Sequence, residues 1–551
     1  TLPYTRGNRN GRIVFVGEAP GADEEIAYTA GRSATAFVGS SGNELDSMCC
    51  DSNIDIDDCY YTNVAKQRPP DNEIKVFTRQ EIVDWIDILH KELASLPNVN
   101  VIVPVGNLAL QAVAGIKTIT WMKKEPDKMK GLAGIGTWRG SILSSLPLGE
   151  NNRVIKVIPT YHPAFVQRQW SYRVTVIADL ERIAEDSKFP ELRLPEHNII
   201  IEPDKSTTLE AIAECKRAER IATDIENLRK FIFCFGLAWT NNDAICIPMF
   251  WPDGENYWSP EDEAEILFAL ADLLSNHKGQ VGQFYYHDCY YYHHYGLIEA
   301  LKRRFNGCLW DTFSQHVCLY GELPHTLAYL CSMYTRVPYY KAEGRNWMQK
   351  DKRKGIEQFW RYNGKDCIVT REISFPLEIE LAEFGRLEFY DTYYRRLFPH
   401  LLQSGLRGIA IDETIRSQAR IEYKQRWTDM QTQLQIIAKK PMDLHPGDPY
   451  DKWKGDEQYV NVAAHKKLRL WFNETLGVPL KSTDEKNLKE ARGLYPEAAG
   501  TINLILDIKE VRKEKETYLD PKLGHDTRFH FILKASTETG RLASQKDPMG
   551  Y

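Results

Sequence analysis

Two carboxylates on one short strand narrow what this chain can fold into more than any other feature. Ala222-Thr223-Asp224-Ile225-Glu226 follows an amphipathic run over residues 209–220 and precedes the apolar run Phe231-Ile232-Phe233-Cys234-Phe235-Gly236-Leu237-Ala238. The pattern predicts a strand feeding a hairpin. Alternate strand side chains share a face, so Asp224 and Glu226 point the same way while Ile225 turns into the core. Adjacent carboxylates repel unless something positive lies between them, and hard divalent cations prefer oxygen ligands. Alone, an Asp-x-Glu is usually a surface accident, and later acids set this one apart. Val281-Gly282-Gln283-Phe284-Tyr285-Tyr286-His287-Asp288 reads as a strand-like start ending in an acid. Residues 356–373 read as a helix carrying Tyr362 and Asp366. Four residues apart, these two share a helix face. Asp224, Glu226, Asp288 and Asp366 suffice to hold two divalent ions, Mg²⁺ or Mn²⁺, about 4 Å apart across a phosphodiester. Tyr362 then orients the attacking water. The bland alternative is a core tyrosine beside a solvated aspartate.

At 551 residues the chain is too long for one core, and three or four domains are expected. Its 43% apolar and 26% charged residues are those of an ordinary globular protein. No apolar run approaches the roughly 20 residues of a membrane span, and no signal-peptide pattern opens the chain, so no membrane partner is expected. Eleven cysteines occur without a Cys-x-x-Cys pair, which reads as reduced cytoplasmic thiols, not disulfides or a zinc site. The net charge of −6 argues against a basic coat for nucleic acid. It leaves room for an enzyme that holds DNA in one groove.

The acids in this order resemble the DEDDy 3′–5′ exonuclease (proofreading) domain of family A DNA polymerases. Trp310-Asp311-Thr312 and a helix over residues 319–334 match the stretch between that family's second and third motifs. The resemblance implies an RNase H-like domain over residues 196–380 and a single-stranded DNA 3′ end as substrate. One departure stands out: the asparagine usual four residues before the second aspartate is Phe284. The nearby cluster Tyr285, Tyr286, Tyr290, Tyr291 and Tyr292 reads first as an aromatic helix packed on the sheet, and second as a stacking platform for bases. His293 and His294 have no metal-ligand spacing.

Upstream, strand patterns at Arg12-Ile13-Val14-Phe15-Val16, Cys59-Tyr60-Tyr61-Thr62-Asn63-Val64, Val101-Ile102-Val103-Pro104-Val105-Gly106 and Val154-Ile155-Lys156-Val157-Ile158 alternate with helical stretches over 79–96 and 107–114. That alternation predicts an open, mostly parallel α/β sheet with ligands at the carboxyl ends of its strands. The polar punctuation falls there: Gly17-Glu18-Ala19-Pro20-Gly21, Asn63, and Tyr161-His162-Pro163-Ala164. With Phe37-Val38-Gly39, Arg68-Pro69-Pro70 and Arg139-Gly140, these motifs resemble the family 4 uracil-DNA glycosylases. The resemblance covers residues 1–188 and implies an α/β/α domain. It implies that Asn63 reads a flipped uracil, Phe37 stacks on it, His162 stabilises the departing base and Glu18 positions water. The pocket is either catalytic or a DNA- or uracil-binding module. Family 4 enzymes hold an iron–sulfur cluster on four cysteines; two of those places carry Gln67 and Trp85, so no cluster is expected.

A charged, proline-punctuated stretch over 189–195 reads as a linker. From residue 381 the chain turns helical. Leu401-Leu402-Gln403-Ser404-Gly405-Leu406-Arg407-Gly408-Ile409-Ala410-Ile411-Asp412 resembles the family A junction in which a helix ends on glycine before a short strand and an aspartate cap. Thr537-Glu538-Thr539-Gly540-Arg541-Leu542-Ala543-Ser544 resembles the start of the palm, making Arg541 a candidate contact to primer–template duplex. Residues 381–551 are thus expected to be a mostly helical polymerase thumb and the beginning of the palm. Palm aspartates and a fingers helix are not found. The chain is therefore expected to be a truncated piece, a fragment, or half of a split polymerase whose remainder is a second chain.

The whole is expected to be an α/β multidomain protein: the amino-terminal portion of a phage-type family A DNA polymerase, at work in the cytoplasm of an infected bacterial host. The rivals are a uracil-DNA repair glycosylase with an accessory nuclease, and a non-catalytic scaffold that binds DNA for a separate polymerase subunit.

Overall fold

A computed structural model of the chain describes residues 4–33, 35–117, 133–228, 230–299, 309–342, 355–438, 460, 462–535 and 541–548. It divides into two compact units, Thr1–Gln403 with Leu533–Ser544, and Ser404–Ile532 with Gln545–Tyr551. Among the described residues, none of the helices is long and apolar enough to cross a membrane.

The first sheet of the larger unit contains β1 (Arg6–Gly7), β2 (Ile13–Gly17), β3 (Cys59–Asn63), β4 (Val101–Pro104), β5 (Leu143–Ser144) and β6 (Lys156–Val157), in the order β1-β3-β2-β4-β6-β5. The inner strands β3, β2, β4 and β6 run parallel, with antiparallel β1 and β5 at the edges. Because strand side chains alternate, Ile13, Phe15, Val101 and Val103 pack on one face against helices Ser40–Asp51 and Arg173–Asp186. Val14, Val16 and Ile102 pack on the other against helices Arg79–Ala94 and Asn107–Ala114. Covered on both faces, these strands need continuous apolar runs, and the sequence supplies them.

The second sheet holds β7 (Asn198–Ile200), β8 (Ile221–Leu228), β9 (Phe231–Ala238), β10 (Asp243–Pro248), β11 (Gln280–Gly282) and β12 (Leu309–Asp311), ordered β12-β11-β8-β9-β10-β7. The expected hairpin is β8–β9, with Asp224 opposite Gly236 and Glu226 opposite Cys234. Helix Ile356–Glu383 lies across it and extends ten residues beyond the expected end at Ile373, through Pro376. Buried Ile373, Leu377 and Leu381 tie this extension to the core, offsetting a proline cost of about 3 kcal/mol. Two expectations are corrected. Asp288 is not at a strand end: β11 stops at Gly282, and Asp288 lies in the first turn of helix Tyr286–His294. The helix expected over 319–334 is two helices, Thr312–Leu319 and Leu327–Tyr334, the second capped by the Thr326 hydroxyl. The tyrosine cluster is core, with Tyr285, Tyr290, Tyr291 and Tyr292 all buried.

The two sheets are fastened together within this unit. Arg139 and Asp179, each 1% exposed, form a buried ion pair, and Arg139 also donates to the Ser332 hydroxyl at 2.7 Å. The Thr175 and Tyr329 hydroxyls meet at 2.6 Å, and the Tyr339 amide donates to Ser141 Oγ at 3.1 Å. Across the expected linker, the Lys156 ammonium and the Arg193 guanidinium each lie 3.8 Å from the centre of the Phe189 ring. The stretch is therefore anchored at Phe189, while residues 190–195 are exposed.

The smaller unit is mainly helical. Helices Glu413–Ile437, His465–Leu476, Glu485–Leu494 and Ala499–Glu514 share a core that includes Leu434, Phe472, Leu488, Ile502 and Ile505. The junction motif folds as expected: Gly408 takes φ +66°, Ile409–Ala410 pairs with Arg528–Phe529, and Asp412 caps the next helix through the amides of Thr414 and Ile415.

Candidate functional site

The first candidate site is a cage of acids over β8. Asp224, Glu226 and Asp366 place carboxylate oxygens within 4.8 Å of one another. The strand supplies two of them on one face, and the helix brings Asp366 from 140 residues downstream. Glycine makes that approach possible, since a Cβ on Gly236 would stand 2.6 Å from Asn363 Oδ1 and 2.5 Å from Cys367 Sγ. Asn363 donates to Asp224 at 2.8 Å, and Tyr340 donates to Asp366 at 2.6 Å. Asp288 is not in the trio. It is 3% exposed and accepts the Ile225 amide at 3.0 Å, which fixes the strand between the two acids.

Burial, followed by the Asp366 charge, pushes Asp224 up to about 7. Burial together with the neighbouring acids pushes Glu226 and Asp288 well above the usual carboxylate range. Burial thus works against the charged form of the two strand acids, and a hard divalent ion would relieve it.

Sequence reasoning missed Lys341. Its ammonium donates to Asp366 and, at 3.0 Å, to the Tyr362 hydroxyl. Thus a cation of the chain itself lies beside the cage. Nothing in the local pattern marks this lysine, which reaches Asp366 across 25 residues. Tyr362 sits as the helix spacing predicted, one turn before Asp366, and burial raises its phenol. Phe284, in the place of the expected asparagine, has φ +56°. Asparagine is enriched in that left-handed region and a bulky aromatic is strained there, at about 1–3 kcal/mol. The Phe284 amide donates to Asp311 at 2.7 Å, and its ring meets Phe313 edge-on at 5.3 Å.

The second candidate site lies at the carboxyl ends of β2 and β3, where Gly17 pairs with Asn63. Gly17 admits two side chains over its backbone: a Cβ there would stand 2.2 Å from Asn63 Oδ1 and 2.8 Å from the Phe37 ring. Asn63 is 2% exposed, and its Nδ2 is a buried donor without a partner among the described residues. Such an orphan costs about 1–3 kcal/mol unless a ligand satisfies it. The Phe37 ring lies 6.3 Å from His162, with the planes inclined by 27°. Glu18 follows Gly17 directly, and burial raises its carboxyl. His162 caps helix Pro163–Arg168 by accepting the Ala164 amide on Nδ1 at 3.1 Å. Burial lowers its pKa to about 4, so above that the ring is neutral, with its proton on Nε2.

Glu24 also went unnoticed in the sequence. It accepts the amides of Gly21 and Phe37, tying the glycine turn to the left-handed Phe37 (φ +51°). Its signal was the capping-box spacing from Gly21 to Glu24. Gln67 is exposed and Trp85 packs on Phe77 at 4.7 Å, so neither position offers the thiolate an iron–sulfur cluster needs. Arg541 is exposed just before strand Leu542–Lys546, while Thr537–Gly540 of its motif lie outside the described residues.

Comparison with known proteins bears on this second site most strongly. Residues 4–182 match the uracil DNA glycosylase superfamily, and through that segment the chain belongs to it. Within the superfamily the segment is similar to type-4 uracil-DNA glycosylases. It is 31% identical over 179 residues to that of Archaeoglobus fulgidus and 30% identical over 178 residues to that of Thermotoga maritima. Each alignment covers 32% of this chain and 78% of the relative. The chain is also 27% identical over 203 residues to DNA polymerase I of Rhizobium leguminosarum, covering 35% of this chain and 18% of that protein. Among solved structures, the POL domain of Pol1 from M. smegmatis, in complex with DNA primer-template and dNTP, matches at 16% identity and a TM-score of 0.38. That match covers 63% of this chain and 54% of the other.

The neutral His162 gives a pH prediction. Its folded pKa of about 4 lies below the ordinary 6.5, so the stability it contributes is complete above 6.5 and is lost as pH falls through 4. NMR titration of the ring is expected to show a midpoint near 4, with the Nε2–H tautomer above it; a midpoint near 6.5 would contradict the buried pocket.

Proposed function

We propose that the chain is the amino-terminal portion of a phage-type family A DNA polymerase, and that its acid cage hydrolyses the 3′-terminal phosphodiester of single-stranded DNA. The observation carrying this reading is the convergence of three carboxylates within 4.8 Å, with Tyr362 one helical turn from the third. Asp224, Glu226 and Asp366 would hold the metal, and Asp288 would keep the strand in place through Ile225. Divalent ions in the cage would supply charge neutralisation for the scissile phosphodiester. The Tyr362 hydroxyl, held by Lys341, orients the attacking water. The Lys341 ammonium, which bonds Asp366 and Tyr362, would stand beside the phosphate as a positive charge of the chain's own. On this reading residues 196–380 are an RNase H-like exonuclease domain. The helical unit is then the thumb, with Arg541 at primer–template duplex.

A second activity is favoured by the orphaned Asn63 donor. An amide offers one donor and one acceptor, matching the N3–H and O4 of uracil. Phe37 would stack on the flipped base, and the Nε2–H of neutral His162 would donate to O2 as the glycosidic bond breaks. Glu18 would hold the incoming water.

Asp224→Ala is expected to lower Mg²⁺- or Mn²⁺-dependent digestion of a 3′-labelled single strand about 10³-fold or more, the several kcal/mol that a lost metal site costs. Undiminished digestion would refute the cage. On uracil-containing DNA, alkali-labile breaks are expected from the intact chain and their loss from His162→Ala; no breaks from either would refute the second activity.

A further inference from the structure

A cleft of about 480 Å³ opens between the two sheets of the larger unit. One wall comes from the uracil-glycosylase-type segment, through Thr137 and Tyr161; the other holds Tyr329, Tyr339, Lys341 and Tyr362. Its volume falls in the range of about 300–1,000 Å³ typical of ligand sites. The two ends are chemically distinct. Lys341 and Tyr362 at one end are the residues hydrogen-bonded to each other beside the acid cage. Tyr161 at the other end directly precedes His162.

The walls do not drift apart, because the bonds that fasten the sheets lie around them. Arg139 bridges Asp179 to Ser332, Thr175 meets Tyr329, and the ring of Trp138 meets Tyr339 edge-on at 5.1 Å. Close approach is also built in: a Cβ on Gly140 would stand 2.8 Å from the Ser332 carbonyl oxygen across the junction. Among the described residues the lining pairs four phenol rings with one ammonium and includes no carboxylate. Rings on which bases stack, beside a cation for the backbone, are what a single-stranded nucleic acid requires. A protein segment would find fewer partners here, since the described lining offers a peptide no charged acceptor.

We propose that this cleft holds the single-stranded nucleotides immediately upstream of a 3′ terminus seated at the acid cage, with the glycosylase-type segment supplying one wall of the track. The proposal rests on the acid-cage reading above and adds a second role for the amino-terminal segment, independent of uracil release. Thr137 and Tyr161 then act as positioning residues for a reaction on the other sheet.

The test uses the full chain and a thymidine decamer carrying 3′-terminal phosphorothioate linkages, with 5-iodouracil at the second to fourth positions from its 3′ end. Irradiation is expected to crosslink Tyr161 or Tyr339; crosslinks confined to residues outside the cleft would overturn the proposal. By fluorescence anisotropy, Tyr161→Ala is expected to raise the Kd of the decamer about tenfold, the effect of one lost stacking partner. Thr137→Trp, which fills the cleft from the same wall, should do likewise if Tyr161→Ala fails to fold. An unchanged Kd in a variant that melts like the parent would also overturn it. The two readings fail separately: absent 3′ digestion by the intact chain sinks the acid cage, and absent crosslinks sink the cleft.

Discussion

Asp224 faces Gly236 across the β8–β9 hairpin, and the remainder of the acid site follows from that pairing. The missing side chain on Gly236 lets helix Ile356–Glu383 close on the sheet until Asn363 reaches Asp224 and Asp366 joins the two strand acids. Any Cβ at that point would hold the helix off and spread the carboxylates. Bringing them together costs electrostatic free energy, which the chain offsets locally with Lys341, Tyr340 and Asn363. The offset is incomplete, as the raised Asp224 and Glu226 carboxyls attest. Such residual frustration is common at functional sites.

The same economy of glycine shapes the second candidate site. Gly17 ends a strand buried on both faces and leaves room for the Asn63 amide and the Phe37 ring above its backbone. Glu24 holds Phe37 in place through a main-chain bond. Two sites of unlike chemistry thus share one unit, and the fastening through Arg139, Asp179 and Ser332 keeps their separation fixed.

Periodic features were legible in the sequence. The two-residue alternation of Asp224 and Glu226, the four-residue spacing of Tyr362 and Asp366, and the strand runs at Ile13 and Val101 each follow from local geometry. So did the Gly408 stop and the Asp412 cap. What escaped depended on distant partners or on short apolar runs that suit either state. Asp288 follows three strand residues and a left-handed Phe284, so the tyrosines beyond it begin a helix where alternation suggested more strand. The break between Leu319 and Leu327 had a local marker in the Thr326 cap, yet apolar residues on both sides masked it. Lys341 could not have been found by pattern, since its role comes wholly from a contact made through the fold.

The central claim is that the cage exchanges the Lys341 ammonium for divalent cations. Anomalous diffraction at the manganese edge, from crystals soaked in Mn²⁺, tests it most directly. The account predicts manganese bound by Asp224, Glu226 and Asp366, with the Lys341 ammonium displaced from Asp366. A Lys341–Asp366 pair that persists with no manganese beside it would contradict the account.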